Sequence, residues 1–180
     1  MDRMTSTLPD HVHAPGGGRI GLVRCPGTRP PSLSPFPRGP DPVTALQTLR
    51  AWPTTALVSL VEAWELSLLG VEDLGDQARE AGFDWLHLPI IDMSAPDRRF
   101  TDAWPTVGPR LHARLDAGEH IVVHCRAGLG RTGTVAALLL IERGMPVDAA
   151  IQRVRGARPG AIEATEQEEW LYSVAAARTR

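Results

Sequence analysis

Two patterns of apolar residues alternate along this chain. Short runs rich in β-branched and aliphatic residues lie at 20–25, 54–60, 83–90 and 120–124; each is too short for a stable helix and reads as a strand. The last, centred on Ile121, Val122 and Val123, reads as fully buried. Between and after them, apolar positions recur every three or four residues, the spacing of one helical face. Val43, Leu46 and Leu49 do so after Asp41-Pro42, an N-cap and first-turn pair. Leu74 and Ala78 mark a helix over 72–81 that stops at Gly82. Trp104, Val107, Leu111 and Leu115 mark the core face of another over 101–115, ended by Gly118. Residues 132–141 are an alanine- and leucine-rich helix stopped by Gly144 and Pro146. Two more follow at 147–155, with Ile151 and Val154 inward, and at 165–177, with Trp170, Leu171 and Val174 inward. Strands alternating with helices, then helices alone, predict an α/β fold: a mostly parallel central sheet flanked by helices, with a helical C-terminal part.

Residues 1–18 are polar and without periodicity, which predicts a flexible N-terminal tail ahead of a single domain at 19–177. His11 and His13 are taken as part of that tail. The seven prolines within 26–42 exclude a regular element and predict a surface loop. At 180 residues the chain is one domain's worth and long enough to bury about 70% of its unfolded surface. A net charge of −2 argues against a nucleic-acid partner, whose footprint is a basic stripe. Neither a signal-peptide core nor an apolar run long enough to cross a bilayer is present, so no membrane partner is expected. Two cysteines, Cys25 and Cys125, cannot build a disulfide framework and point to a reducing compartment, the cytoplasm. The six histidines show no metal-ligand spacing, so a monomer with no metal and no cofactor is expected.

Candidate chemistry concentrates between the strand at 120–124 and the helix at 132–141. The connecting segment reads His124-Cys125-Arg126-Ala127-Gly128-Leu129-Gly130-Arg131-Thr132-Gly133. A glycine-rich loop entering a helix can turn successive backbone N–H groups inward, an anion nest suited to phosphate, formed here by residues 126–131. The same amides and helix end favour thiolate at Cys125, making it a nucleophile. Arg131 can bind two phosphate oxygens with its planar fork and stabilise the charge of a phosphoryl group in transfer. Thr132 can donate its hydroxyl to the Cys125 sulfur and improve it as a leaving group. His124 is placed to orient the cysteine backbone. An inert buried cysteine is the commoner fate of a lone thiol, but the thiol, spaced glycines, arginine and threonine together, at a strand-to-helix junction, favour the chemical reading.

Phosphate-ester cleavage also needs a proton for the leaving oxygen. A carboxylic acid on a loop at the carboxyl end of a strand can supply it. Asp92 and Asp97, after the strand at 83–90, are the two candidates, with Asp97 also placed to cap the helix that follows.

Four segments, GLVRCPGT at 21–28, LPIIDMSAPD at 88–97, HCRAGLGRTG at 124–133 and RPGAIEATEQ at 158–167, resemble the cysteine-based protein tyrosine and dual-specificity phosphatases, in the branch related to the cyclin-dependent-kinase-associated phosphatase. The likeness spans about residues 19–175. It implies the phosphatase fold, hydrolysis of phosphotyrosine and of phosphoserine or phosphothreonine in proteins through a phosphocysteine on Cys125, and Asp92 as the acid that later activates water. It also places Gln167 near the site, positioning that water, and leaves Cys25 without a catalytic counterpart, structural although a redox partnership with Cys125 is conceivable. The substrate is then a phosphorylated protein or a small phosphate ester.

Alternatives remain within the same loop. Phosphoinositide phosphatases of the superfamily carry basic residues at the first and fourth positions after the cysteine; here these are Arg126 and Leu129, so one condition is met. RNA triphosphatase chemistry lacks its basic patches. A phosphate-binding module without turnover would have lost the nucleophile or the acid, and both are present. Arsenate reduction would need more cysteines than Cys25 supplies.

Overall fold

The computed structural model describes residues 9–29 and 38–178. Five strands form one sheet in the order β1-β2-β5-β3-β4. They are β1 (Asp10–His13), β2 (Arg19–Arg24), β3 (Thr54–Ser59), β4 (Asp84–His87) and β5 (His120–Cys125). All neighbours run parallel except β1 against β2. Parallel pairing needs helical crossovers on the sheet faces, supplied by α1 (Pro42–Ala51), α2 (Ala63–Leu68), α3 (Leu74–Glu80) and α4 (Arg98–Asp116); α5 (Gly130–Glu142), α6 (Val147–Ala157) and α7 (Thr165–Arg178) follow the last strand. The predicted α/β class is observed. None of these helices is long and apolar enough to cross a membrane.

The most apolar segments occupy the centre. β5 lies between β2 and β3, with residues 121–125 buried. α5 is buried along twelve consecutive residues, from Gly130 to Ile141, as expected of a helix apolar on every side. Placing both in the interior fixes the strand-to-helix junction between them, at the carboxyl end of the sheet. α4 turns Phe100, Leu111 and Leu115 inward, with Trp104 and Val107 partly covered against the same core.

Two elements depart from expectation. Residues 10–13, predicted as tail, pair with β2 as an antiparallel edge strand, while residues 1–8 lie outside those described. The strand is only four residues long and mostly polar, so periodicity could not reveal it. Its turn depends on close backbone approach: a Cβ on Gly17 would lie 1.9 Å from the Leu115 carbonyl oxygen and one on Gly18 1.7 Å from that of Glu119, so only glycine fits. The second addition is α2, a single short helix whose N-terminus closes as a capping box between Glu62 and Glu65. Of the predicted proline-rich loop, residues 30–37 lie outside those described.

Candidate active site

The loop after β5 is shaped from outside. The Arg126 carbonyl accepts from the Cys25 N–H at 3.1 Å, joining it to the end of β2. Arg158 reaches from the end of α6 and donates to the carbonyls of Ala127 at 2.9 Å and Gly128 at 2.5 Å. A third nitrogen of Arg158 pairs with Asp10 of β1. In a trans peptide the N–H points opposite the preceding C=O. Carbonyls 126, 127 and 128 held outward therefore turn the N–H groups of Ala127, Gly128 and Leu129 inward, and none of the three meets an acceptor among the described residues. Gly128 makes the turn possible: its φ is +73° and a Cβ there would lie 2.3 Å from the Val23 carbonyl oxygen. Gly130, expected to share in anion binding, instead donates its N–H to Glu163 Oε2 at 2.8 Å.

His124 supports the loop from beneath, and its partners fix its tautomer. Trp85 Nε1 donates to Ser59 Oγ at 2.8 Å, so the Ser59 hydrogen is left for His124 Nε2 at 2.5 Å. Nδ1 then carries the ring proton and donates to the Cys125 carbonyl at 3.3 Å. Complete burial agrees with a neutral ring, pushing the imidazole pKa down to about 4 despite that backbone bond. His124, expected to orient the cysteine backbone, thus meets the Cys125 carbonyl.

Arg131 is 1% exposed and nearly saturated with partners. Nη1 donates to Glu65 Oε2 at 2.6 Å and to the Ile90 carbonyl at 3.0 Å; Nη2 donates to Glu65 Oε1 at 2.9 Å. Asp92 Oδ1 lies 3.0 Å from Nη2. Burial by itself would lower the Arg131 pKa, but the Glu65 hydrogen bonds and the charges of Cys125, Glu65 and Asp92 more than offset it, and the net direction is upward. One donor is left over: Nε is buried without a partner. Unsatisfied buried donors are costly and rare in finished interiors. This one lies on the side edge of the guanidinium, the edge that binds two oxygens of an oxyanion at once when paired with Nη2. The Thr132 hydroxyl is a second buried polar atom without a partner, so the expected donation to the Cys125 sulfur is not made in this arrangement.

Asp92 and Asp97 separate clearly. Asp92 bridges two guanidiniums, Arg131 and, through Oδ2 at 2.7 Å, Arg126. Asp97 caps α4, accepting from the Arg99 and Phe100 N–H groups. Its carboxyl is held below the usual range, chiefly by the Arg99 side chain. The loop carrying Asp92 is held from α7: Glu166 accepts from the Ala95 N–H at 2.9 Å, and buried Gln167 donates to the Ser94 carbonyl at 3.2 Å. The Gln167 carboxamide also lies against Gly130, so this residue touches both loops. Cys25 is buried, and burial pushes its thiol up to about 12, which keeps it protonated at neutral pH.

Glu65, Arg158, Glu163 and Glu166 are residues the sequence reading did not single out. Glu65 left a signal, the Glu62-x-x-Glu65 spacing of a capping box. Arg158 and Glu163 lie inside the segment 158–167 that carries the resemblance, but no local pattern shows that they reach back to residues 127–130.

A β-strand, a cysteine, a loop of inward amides and a buried arginine at the start of a helix together make a candidate oxyanion site. A protein-family model described as "Polymorphic toxin system, DSP-PTPase phosphatase" matches residues 38–145, more than half of the chain, and the chain belongs to that family, within the cysteine-based protein tyrosine and dual-specificity phosphatases. Protein tyrosine phosphatase type IVA 3 of Mus musculus is 39% identical over 85 residues, 46% of this chain and 46% of its own, so the match spans about half the length of that relative. The crystal structure of kinase associated phosphatase with its catalytic-site cysteine replaced by serine superposes with a TM-score of 0.77 at 24% identity, covering 89% of this chain and 88% of that one. Tk-PTP in its active form gives a TM-score of 0.68 at 30% identity, covering 88% and 92%.

Proposed function

We propose that this protein hydrolyses phosphate monoesters of proteins, phosphotyrosine and also phosphoserine or phosphothreonine, through a phosphocysteine on Cys125. The observation that carries the reading is the side edge of Arg131: a buried Nε without a partner beside an Nη2 that Asp92 holds, above a loop with three inward amides. A phosphate dianion satisfies all of these donors together and displaces the Asp92 carboxylate from Nη2. The Cys125 thiolate then attacks phosphorus, the P–O ester bond breaks, and Asp92, protonated, gives its proton to the leaving oxygen. Water next attacks the phosphocysteine, Asp92 takes the water's proton, and the sulfur leaves as thiolate. The Thr132 hydroxyl, free of other partners, is available to that sulfur. Gln167, joined to the Asp92 loop and touching Gly130, fits the placing of the water.

Hydrolysis of phosphoinositides is the second reading, and Arg126 is its basis. That arginine is paired with Asp92, and Leu129 offers no charge at the other diagnostic position, so the protein reading is better supported. Two buried thiols suit a reducing compartment such as the cytoplasm.

The test uses an aryl phosphate and a phosphopeptide. Cys125→Ser is expected to abolish turnover of both. Asp92→Asn should slow an alkyl phosphate far more than an activated aryl phosphate, by about 10²–10⁴-fold for a general acid, and flatten the basic limb of the pH–rate profile. Asp97→Asn should do neither. Persistence of turnover in Cys125→Ser rules the mechanism out; the reverse ranking of the two aspartates moves the acid to Asp97.

A further inference from the structure

Phosphate sites ordinarily gather positive charge, and here each arginine at hand is already paired. Four carboxylates, Glu65, Asp92, Glu163 and Glu166, reach the phosphate loop, its arginine or the Asp92 loop, alongside four arginines, 99, 126, 131 and 158. Glu65 is buried and Asp92 bridges both guanidiniums, so those two charges are already matched. Glu163 and Glu166 are exposed, and neither joins an arginine in an ion pair among the described residues. The other arginines close by are engaged elsewhere, Arg158 with Asp10 and Arg99 with Glu62 and Asp97. Glu163 stands on the Gly130 N–H at the start of α5, and Glu166 on the Ala95 N–H of the Asp92 loop. Each of the two loops that meet at Arg131 thus carries one exposed carboxylate without an ion-pair partner among the described residues. The Arg131 Nε and Thr132 hydroxyl, buried and unpartnered, independently mark where the phosphoryl group of a ligand sits. The apolar part of the rim is Ile91 and Met93, exposed on either side of Asp92.

We propose, resting on the phosphatase reading above, that Glu163 and Glu166 determine specificity and select phosphorylated protein segments with arginine or lysine beside the phosphoresidue. A cationic side chain pairs its head with these carboxylates and lays its aliphatic stem on the apolar rim. A substrate with a second anionic group meets repulsion at the same place, which sets acidic peptides and polyphosphorylated headgroups at a disadvantage. Both glutamates also bond to loop backbone, so their test must separate charge from loop support.

The experiment measures kcat/KM of the full chain on two phosphotyrosine peptides identical except for arginine or glutamate on both sides of the phosphoresidue, with p-nitrophenyl phosphate alongside. The arginine-flanked peptide is expected to be favoured about tenfold at low salt, the effect of two partly exposed ion pairs, through KM, and the ratio should shrink as salt is added. In E163Q/E166Q the ratio, taken within the variant and so insensitive to any general loss of loop order, should fall toward one. E163D/E166D, which keeps the charges, should retain most of it. Equal turnover of the peptides by the wild type, or a ratio unchanged in E163Q/E166Q, overturns the proposal while leaving phosphatase chemistry intact. Failure of the wild type on p-nitrophenyl phosphate and on both peptides overturns the phosphatase reading on which it rests.

Discussion

The loop at 126–130 and the loop at 91–97 meet at one guanidinium, yet they are held by different means. The first follows a buried strand, enters a buried helix, and has carbonyls fixed by Cys25 and Arg158, with Arg131 clamped by buried Glu65. The second is partly exposed, with Ile91 and Met93 about half in solvent, and is held by the Asp92 ion pairs to Arg126 and Arg131 and, from α7, by one bond each from Glu166 and Gln167. Met93 takes φ +61°, an uncommon conformation for a residue with a side chain. The contrast suits the proposed chemistry: an anion nest gains from fixed dipoles that need no reorganisation, whereas an acid must leave the arginine when phosphate arrives and then reach the leaving oxygen.

The largest test of this contrast lies in the clamp. Glu65→Gln removes the buried counter-ion of Arg131 and leaves it only Asp92, which it shares with Arg126, a change that costs about 3–5 kcal/mol. Chemical denaturation should show that loss, with turnover falling as well; a stability within about 1 kcal/mol of wild type would mean the phosphate loop does not depend on Glu65.

Below that comes the buried imidazole under Cys125. Its folded pKa of about 4 lies below the ordinary 6.5, so the unfolded chain takes up a proton that the native state refuses. Its contribution is complete above pH 6.5 and is lost as pH falls through the window from 6.5 toward 4, reaching on the order of 3 kcal/mol. Urea unfolding at the two ends of that window should show this dependence in the wild type and a shallower one in His124→Asn. Equal slopes would show that His124 is not held neutral.

The smallest effect is expected in the partly exposed loop. Gln167→Ala removes its donation to the Ser94 carbonyl and its acceptance from the Ala164 N–H and should cost about 2 kcal/mol or less, while lowering turnover more than peptide affinity. A stability loss as large as that of Glu65→Gln would show that the Asp92 loop is as firmly built as the phosphate loop and erase the comparison.

Much of this was legible along the chain. Six helices and four strands carried their own periodicities and caps, as Asp41 does for α1 and Asp97 for α4. The junction from Cys125 to Thr132 is local, because a buried strand, glycines free of side-chain clash and an apolar helix all act within a few residues of one another. The short polar strand β1 had no periodicity to show, and it exists because its backbone pairs with β2 and its Asp10 meets Arg158.

The amino-acid sequence by itself therefore pointed to every described element except β1 and α2, and to Cys125, Arg131 and the loop between them as the candidate site. Tertiary structure alone decided which charges surround them. Glu65 meets Arg131 across 66 positions, Glu163 meets Gly130 across 33, and Arg158 meets Gly128 across 30. No local pattern encodes such pairs, because a carboxylate or guanidinium on a solvated surface and one at an active-site loop look alike in sequence. The sheet order and helix crossovers bring them together, and only then does burial or the lack of a counter-ion give each charge its role.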